Sequence, residues 1–294
     1  MKFINLTRRT EIGANSYYLE IAGHHLVLDC GMHPKNMGED ALPNFKLIAA
    51  QPLDAVLISH SHQDHIGTLP VLMRRQPKAR VFMSEVTAEI GSTLLHNSVN
   101  VMTRQREEFG ATLYPLFTHR ETDRAADRWH PCRMRQCIAI SGERATGRDV
   151  DALTFEFFDA GHVLGSSGIL LRAEGRTIFY TGDVNFDDQT ITEAAIFPDD
   201  KIDILIMECT RGDRKFRSFL NSSRRCKSGN RAMTSLGGIC RTWRGSPAFC
   251  QAQKREAKCI RRAEKLLRLP RLDAFPHRRA SRWWVGRDRR AYTP

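Results

Sequence analysis

The 294-residue chain contains no uninterrupted apolar run of the roughly 18 to 20 residues that a membrane-spanning helix needs. Met1–Arg9 (MKFINLTRR) also lacks the apolar core of a signal peptide. The 8 cysteines include no C-x-x-C pair and are scattered, as reduced thiols are, rather than spaced as a secreted disulfide framework. These absences argue against a membrane protein and a disulfide-stapled secreted domain, and make the cytoplasm the expected compartment. With 41% hydrophobic residues, collagen-like, coiled-coil and wholly disordered chains are excluded as well.

Acidic residues are scarce in one part of the chain only. Residues 215–294 hold 4 Asp+Glu against 22 Lys+Arg, whereas the whole chain holds 33 against 45, which leaves 29 acidic and 23 basic residues in 1–214. The net charge of +12 is therefore +18 in the tail set against −6 before it. To read the whole protein as a basic nucleic-acid binder would misplace the field, which acts where the charges sit. The tail has a single valine (Val285), 17 Arg, four Cys and the adjacent Trp283-Trp284, and only Gln253–Leu267 has a helical look. The expected organisation is a folded domain over 1–214 and a basic tail over 215–294, disordered or out of frame.

Within residues 1–214, strand and turn signals alternate. Asn15–Ile21, the Ala22-Gly23 turn and His24–Leu28 read as a hairpin that ends at Asp29-Cys30-Gly31. Asp54–Ser59 is a short buried strand, and Ile66–Arg75 has the helical spacing of Ile66, Leu69, Leu72 and Met73. Ala79–Met83 reads as a strand and 85–108 as helix. Thr118–Asp149 is polar and aperiodic and reads as an irregular insertion. Strand signals return at Leu153–Phe158, Ser167–Arg172, Thr177–Thr181 and Ile202–Met207, with Glu174-Gly175 turning a hairpin. Strands grouped with few helices predict an α+β sandwich of two mixed sheets with helices outside.

The strongest chemical signal is His60-Ser61-His62-Gln63-Asp64-His65 at the end of the strand Asp54–Ser59. Three imidazoles and a carboxylate on one loop offer neutral nitrogen donors and an anionic oxygen, which is what a metal site needs. The alternation lets His60 and His62 point the same way, while Asp64 and His65, on the first turn of the following helix, face a second ion. His162 in Asp159–Ser166 (DAGHVLGS) and Asp183 in Tyr180–Asn185 (YTGDVN) add an imidazole and a carboxylate able to bridge two ions. His24 and His25 alternate in a strand and read as surface residues. Cys132 and Cys137 lack zinc-finger spacing. Trp283-Trp284, among arginines, is a candidate base-stacking pair.

LDCG at Asp29, HSHQDH at His60–His65, GHVLGS at His162 and TGD at Asp183 resemble the four successive motifs of the metallo-β-lactamase fold, an αββα sandwich. Glu208–Arg214 (ECTRGDR) resembles the stretch that opens the β-CASP region in the RNA-processing branch, with Arg211 where the family usually has Tyr. That branch includes the endonuclease subunit of cleavage and polyadenylation specificity factor and its prokaryotic relatives. The resemblance implies a zinc-dependent hydrolase that cleaves RNA phosphodiester bonds by a metal-bridged hydroxide. It implies one zinc on His60, His62 and His162, a second on Asp64 and His65, and Asp183 bridging both. Asp29 would orient the loop without ligating, and Glu208 would assist proton transfer. The β-CASP cap and its late histidines have no counterpart after Arg214, so the cap is expected to be incomplete or absent and the second zinc site incomplete. The expected partner is RNA as substrate, with a homodimer compatible and no membrane. The alternatives are a small-molecule hydrolase of thioesterase or lactonase type, and a catalytically incomplete fragment.

Overall fold

The computed structural model describes residues 1–8, 13–145 and 152–208, together with the strand Trp283–Arg287. Two six-stranded sheets lie face to face. The first runs β1 (Lys2–Asn5), β2 (Tyr17–Ile21), β3 (His24–Leu28), β4 (Ala55–Leu57), β5 (Arg80–Ser84) and β6 (Trp129–Cys132) in spatial order. The second runs β12 (Trp283–Arg287), β11 (Ile204–Glu208), β10 (Arg176–Tyr180), β9 (Ser167–Ala173), β8 (Thr154–Asp159) and β7 (Ile138–Ala139). β1 to β3 are antiparallel and β3 to β6 parallel, while the second sheet is antiparallel except where β10 meets β11. This is the expected α+β sandwich.

Strand alternation decides which side chain enters which layer. Leu26, Leu28, Ala55, Leu57 and Phe82 meet Phe155, Phe157, Ile169, Leu171 and Ile178 between the sheets. Their neighbours Val27, Val56, Val81 and Met83 face the other way, under helices α2 (Leu69–Arg75) and α3 (Glu85–Phe109). Both faces of these strands are buried, so they read as short apolar runs rather than as polar alternation. On the far side of the second sheet, Phe158, Leu170, Phe179 and Leu205 are covered by Ala195, Phe197 and Ile202. Among the described residues the helices lie on the first sheet only.

The turn expected at Ala22-Gly23 has both residues at positive φ (49° and 74°), and Glu174-Gly175 repeats the pattern (53° and 69°). Those are the two-residue turns whose twist matches paired strands. The single helix expected over Ile66–Arg75 is interrupted: α1 (Gln63–Ile66) ends at Gly67, and α2 restarts after Thr68 with Pro70 in its first turn. The irregular insertion expected over Thr118–Asp149 is corrected. It holds helix α4 (His119–Ala126), β6 and β7. Thr118 and Glu121 form a capping box, Arg74 pairs with Glu121 at 2.6 Å, and His96 Nε2 lies 3.0 Å from Asp123, so a polar helix with little apolar period is held by its cap and by polar pairs to its neighbours.

The sequence carries no clear strand signal at the edge strands β1 and β12. β12 pairs antiparallel with β11, Trp283 opposite Glu208. The expectations for Cys209–Arg214, for Gln253–Leu267 and for the order of the rest of the tail lie outside the described residues. Among the described residues no helix is long and apolar enough to cross a membrane.

Candidate metal centre

Three connections between strands, β4–β5, β8–β9 and β10–β11, deliver side chains to one end of the sandwich. The segment after β4 brings His60 and His62, α1 brings Asp64 and His65, the β8–β9 loop brings His162, and the segment after β10 brings Asp183. The sheets are joined here by Ser167, which donates from its backbone N–H (2.8 Å) and its Oγ (3.0 Å) to the Ser59 carbonyl. A Cβ on Gly31 would lie 1.8 Å from the Asp64 carbonyl oxygen, and one on Gly182, at φ 56°, 2.7 Å from the Ser59 Cβ. Only glycine lets these two segments close onto the histidine loop.

His60 Nε2 lies 3.1 Å from His62 Nδ1, which lies 3.2 Å from His162 Nε2. One donor atom from each of His60, His62, His162 and Asp183 lies within 4.8 Å of all the others. A tetrahedron with arms of about 2.0–2.1 Å has edges of about 3.3–3.4 Å, so the imidazoles are spaced as ligands of one ion. His60 and His65 are fully buried, whereas His62, His162, Asp64 and Asp183 are half-buried. The floor is dry and the mouth is open, as a site that must also admit substrate requires.

The tautomers follow from the hydrogen bonds. Ser59 Oγ gives its proton to Asp29 Oδ2 at 2.7 Å and so accepts from His60 Nδ1 at 3.0 Å, which leaves the His60 Nε2 lone pair facing His62. His65 Nδ1 donates to Asp29 Oδ2 at 2.7 Å, which turns its Nε2 toward Asp183 Oδ1 at 3.3 Å and Asp64 Oδ2 at 3.8 Å. Asp29, fully buried, also accepts from the Ser59 N–H at 2.7 Å and from the Tyr180 hydroxyl. It orients the two buried histidines, His65 directly and His60 through Ser59.

Asp183 faces both halves, with Oδ1 on His65 and Oδ2 3.6 Å from His162 Nε2. Glu208 Oε1 accepts from the Val184 N–H at 2.9 Å and so holds the turn behind Asp183. Ser59, Tyr180 and Asn15 were not singled out from the sequence. Asn15, two residues before β2, directs its amide nitrogen to His65 Nε2 at 2.9 Å and to Asp64 Oδ2 at 3.4 Å. The only sequence signal for these three is position: each is a polar residue at the end of a strand that borders a motif.

Burial holds the His60 and His62 imidazoles below their ordinary range, with neighbouring imidazoles adding to it, so both are neutral at pH 7 and ready to ligate. Burial also pulls His65 down, but Asp183 and Asp29 outweigh it and hold His65 well above that range. Burial alone would raise Asp183, and His65 with the other imidazoles reverses this and keeps the carboxyl well below the usual carboxylate range. A cation at His65 therefore has to displace a proton, and its affinity falls as the pH drops.

Residues 9–215 match the family model described as anti-Pycsar protein Apyc1. The chain is 31% identical over 231 residues to cleavage and polyadenylation specificity factor 73 of Drosophila melanogaster, covering 78% of this chain and 31% of that protein. It is 30% identical over 213 residues to endoribonuclease ysh1 of Schizosaccharomyces pombe, covering 72% of this chain and 26% of that protein. The chain thus spans about a third or less of the length of these relatives. Among solved structures it is similar to the metallo-beta-lactamase fold protein YhfI from Bacillus subtilis, with a TM-score of 0.35 and 18% identity over 60% of this chain and 57% of that one.

Proposed function

Because the chain belongs to the family described as anti-Pycsar protein Apyc1 and has the metallo-β-lactamase sandwich, we propose that it is a zinc-dependent hydrolase of RNA phosphodiester bonds with a two-ion centre. The observation that carries this reading is one carboxylate, Asp183, set between a three-imidazole cluster and the Asp64–His65 pair. The curated relatives named as endoribonucleases support the choice of RNA. When bound, zinc supplies Lewis acidity toward phosphate oxygens and lowers the pKa of water. The chain's own residues do the rest. Asp29 and Ser59 fix the ring orientations, and Asp183 presents one oxygen to each half. Glu208 holds the Asp183–Val184 turn, and its carboxylate is the candidate proton acceptor. We propose a cytoplasmic setting, which the scattered cysteines without a C-x-x-C pair support.

Labelled single-stranded RNA incubated with the full chain should be cleaved, with activity lost on chelation and regained with zinc. His60→Ala with His62→Ala should lose the zinc held by the three-imidazole cluster, measured by metal analysis. Cleavage that survives chelation, or a double variant with undiminished zinc, would remove the metal centre from the reaction.

An open cavity of about 360 Å³ favours a phosphate-bearing polymer over a small ester. Arg133, Arg135 and Arg144 line it, with no acid among the lining residues. Its lining is linked to the two ends of the His162 loop through intervening residues. The Arg135 N–H bonds the Phe157 carbonyl at 2.8 Å, with its guanidinium 4.3 Å over the Phe158 ring. Arg133 lies 3.5 Å from Glu85, whose neighbour Ser84 donates to the Gly165 carbonyl at 2.6 Å. Arg133→Ala with Arg144→Ala should flatten the slope of log affinity against log salt by about 1.4, since each phosphate neutralised on a single strand contributes about 0.7. An unchanged slope in fluorescence anisotropy would take this surface out of the RNA path. For residues 215–294, net +18, we propose non-specific recruitment of RNA, which weakens steeply with salt.

A further inference from the structure

We propose that Asn15 is a ligand of the second metal position, its side-chain carbonyl supplying the donor that Asp64, His65 and Asp183 leave short. The inference rests on the two-ion reading above and goes beyond it, because it completes the centre within the described residues without any later histidine.

Asn15 is 1% exposed and its backbone is pinned on both sides. Its N–H donates to the Asp64 carbonyl at 2.9 Å, and its own carbonyl accepts from the Gly31 N–H at 2.9 Å. The side chain therefore hangs from a fixed point between two loops of the centre and has only two rotatable bonds. Its amide nitrogen lies 2.9 Å from His65 Nε2, and Asp183 Oδ1 lies 3.3 Å from the same atom. Asp64 Oδ2 is 3.4 Å from the amide nitrogen and 3.8 Å from His65 Nε2. Asn15, Asp64, His65 and Asp183 thus converge as four potential donors, the number a tetrahedral zinc takes.

The His65 Nδ1 proton is given to Asp29, so Nε2 is the ring nitrogen that faces this space, and its lone pair is open to a cation once the second ring proton has been displaced. With the ring neutral and no ion present, the amide N–H donates to the imidazole and to Asp64. A cation on the lone pair would meet that N–H head on. The amide is held at its backbone and enclosed, so the relief open to it is rotation about its last bond, which exchanges nitrogen and oxygen in nearly the same envelope. The exchange gives up the amide's contacts with His65 Nε2 and Asp64 Oδ2, whose place the ion would take, and keeps a bond on the other side. The Tyr17 hydroxyl lies 3.4 Å from Asn15 Oδ1 as donor, and a phenol oxygen serves equally as acceptor once nitrogen replaces it. The rotated amide then turns a neutral oxygen toward the ion.

The test is zinc content and zinc affinity of the full chain, measured by metal analysis after dialysis and by titration against a competing chelator. The intact chain should hold two zinc ions. Asn15→Ala should keep the first with unchanged affinity and weaken the second at least about tenfold, because losing even an indirect support of a ligand costs about 10- to 100-fold. Asn15→Asp, which presents an oxygen at the same reach, should hold both ions at least as tightly as the intact chain. Two zinc ions in Asn15→Ala at undiminished affinity would overturn the inference, as would loss of the second ion in Asn15→Asp with the first retained. If Asn15→Ala fails to fold, Asn15→Asp decides alone by the same criterion. A single zinc in the intact chain would defeat the two-ion reading itself, a result distinct from any change confined to the variants.

Discussion

Asp183→Asn should cut RNA cleavage by about 10³-fold or more while the metal-free chain keeps its fold. The carboxylate has one oxygen 3.3 Å from His65 Nε2 and the other 3.6 Å from His162 Nε2, so both halves of the centre lean on a single residue. An amide presents one oxygen and one N–H pair, and whichever half receives the N–H pair loses its anionic donor. Lewis-acid stabilisation is worth several kcal/mol, and each 1.36 kcal/mol is a factor of ten in rate, which sets the size of the loss. Turnover within tenfold of the intact chain would mean that the activity resides elsewhere.

The same substitution has a pH signature in the metal-free protein. Asp183 is held below the usual carboxylate range, so its contribution to stability is present above about pH 4 and is lost only as pH falls through the lowered value. His65 is held above the ordinary imidazole range, so its contribution is complete below about pH 6.5 and is lost as pH rises through the raised value. The destabilisation by Asp183→Asn should therefore be largest between about pH 4 and 6.5 and shrink on either side. Urea midpoints across that range measure it.

Much of this centre was legible in the sequence because metal chemistry restricts residue types so severely. A strand that ends in three histidines and an aspartate within six residues has few other uses, and His162 and Asp183 follow apolar strands in the same way. The hairpins were legible because Ala22-Gly23 and Glu174-Gly175 are short, strained turns between β-rich runs. What escaped was carried by tertiary contacts. α4 has only Thr122 and Ala125 buried and owes its place to the Thr118 cap and to the polar contacts of Arg74 with Glu121 and His96 with Asp123, none of which produces apolar periodicity. β1 and β12 are edge strands, whose pattern is weak because a single neighbour pairs with each. Ser59, Tyr180 and Asn15 are common polar residues, and only the convergence of distant strands shows that their side chains serve the histidines.

Asp29→Asn tests that hidden layer. Asp29 has φ 58°, a left-handed conformation that asparagine also accepts, so the substitution leaves the backbone without new strain and isolates the charge. The carboxylate is fully buried and takes four donors: the Ser59 N–H, the Ser59 hydroxyl, His65 Nδ1–H and the Tyr180 hydroxyl. An amide cannot accept all four. With its nitrogen toward the Ser59 N–H, two donors collide, which costs about 1–3 kcal/mol of stability. With its nitrogen toward His65, the hydroxyls can turn to accept, but the imidazole must take its other tautomer, with a proton on Nε2 where the metal lone pair is needed. The same tautomer error in a serine-protease triad lowers kcat about 10⁴-fold, and removing a group that orients a ligand costs about 10- to 100-fold in metal affinity. Asp29→Asn should therefore weaken the second zinc by about that factor and cut RNA turnover by about 10³-fold or more. In the proposed two-ion reading, zinc at His60, His62 and His162 should change less, because Asp29 reaches that cluster only through Ser59. Equal weakening of both ions would mean that Asp29 supports the whole end of the sandwich rather than the His65 ring, and unchanged zinc affinity would mean that it orients neither.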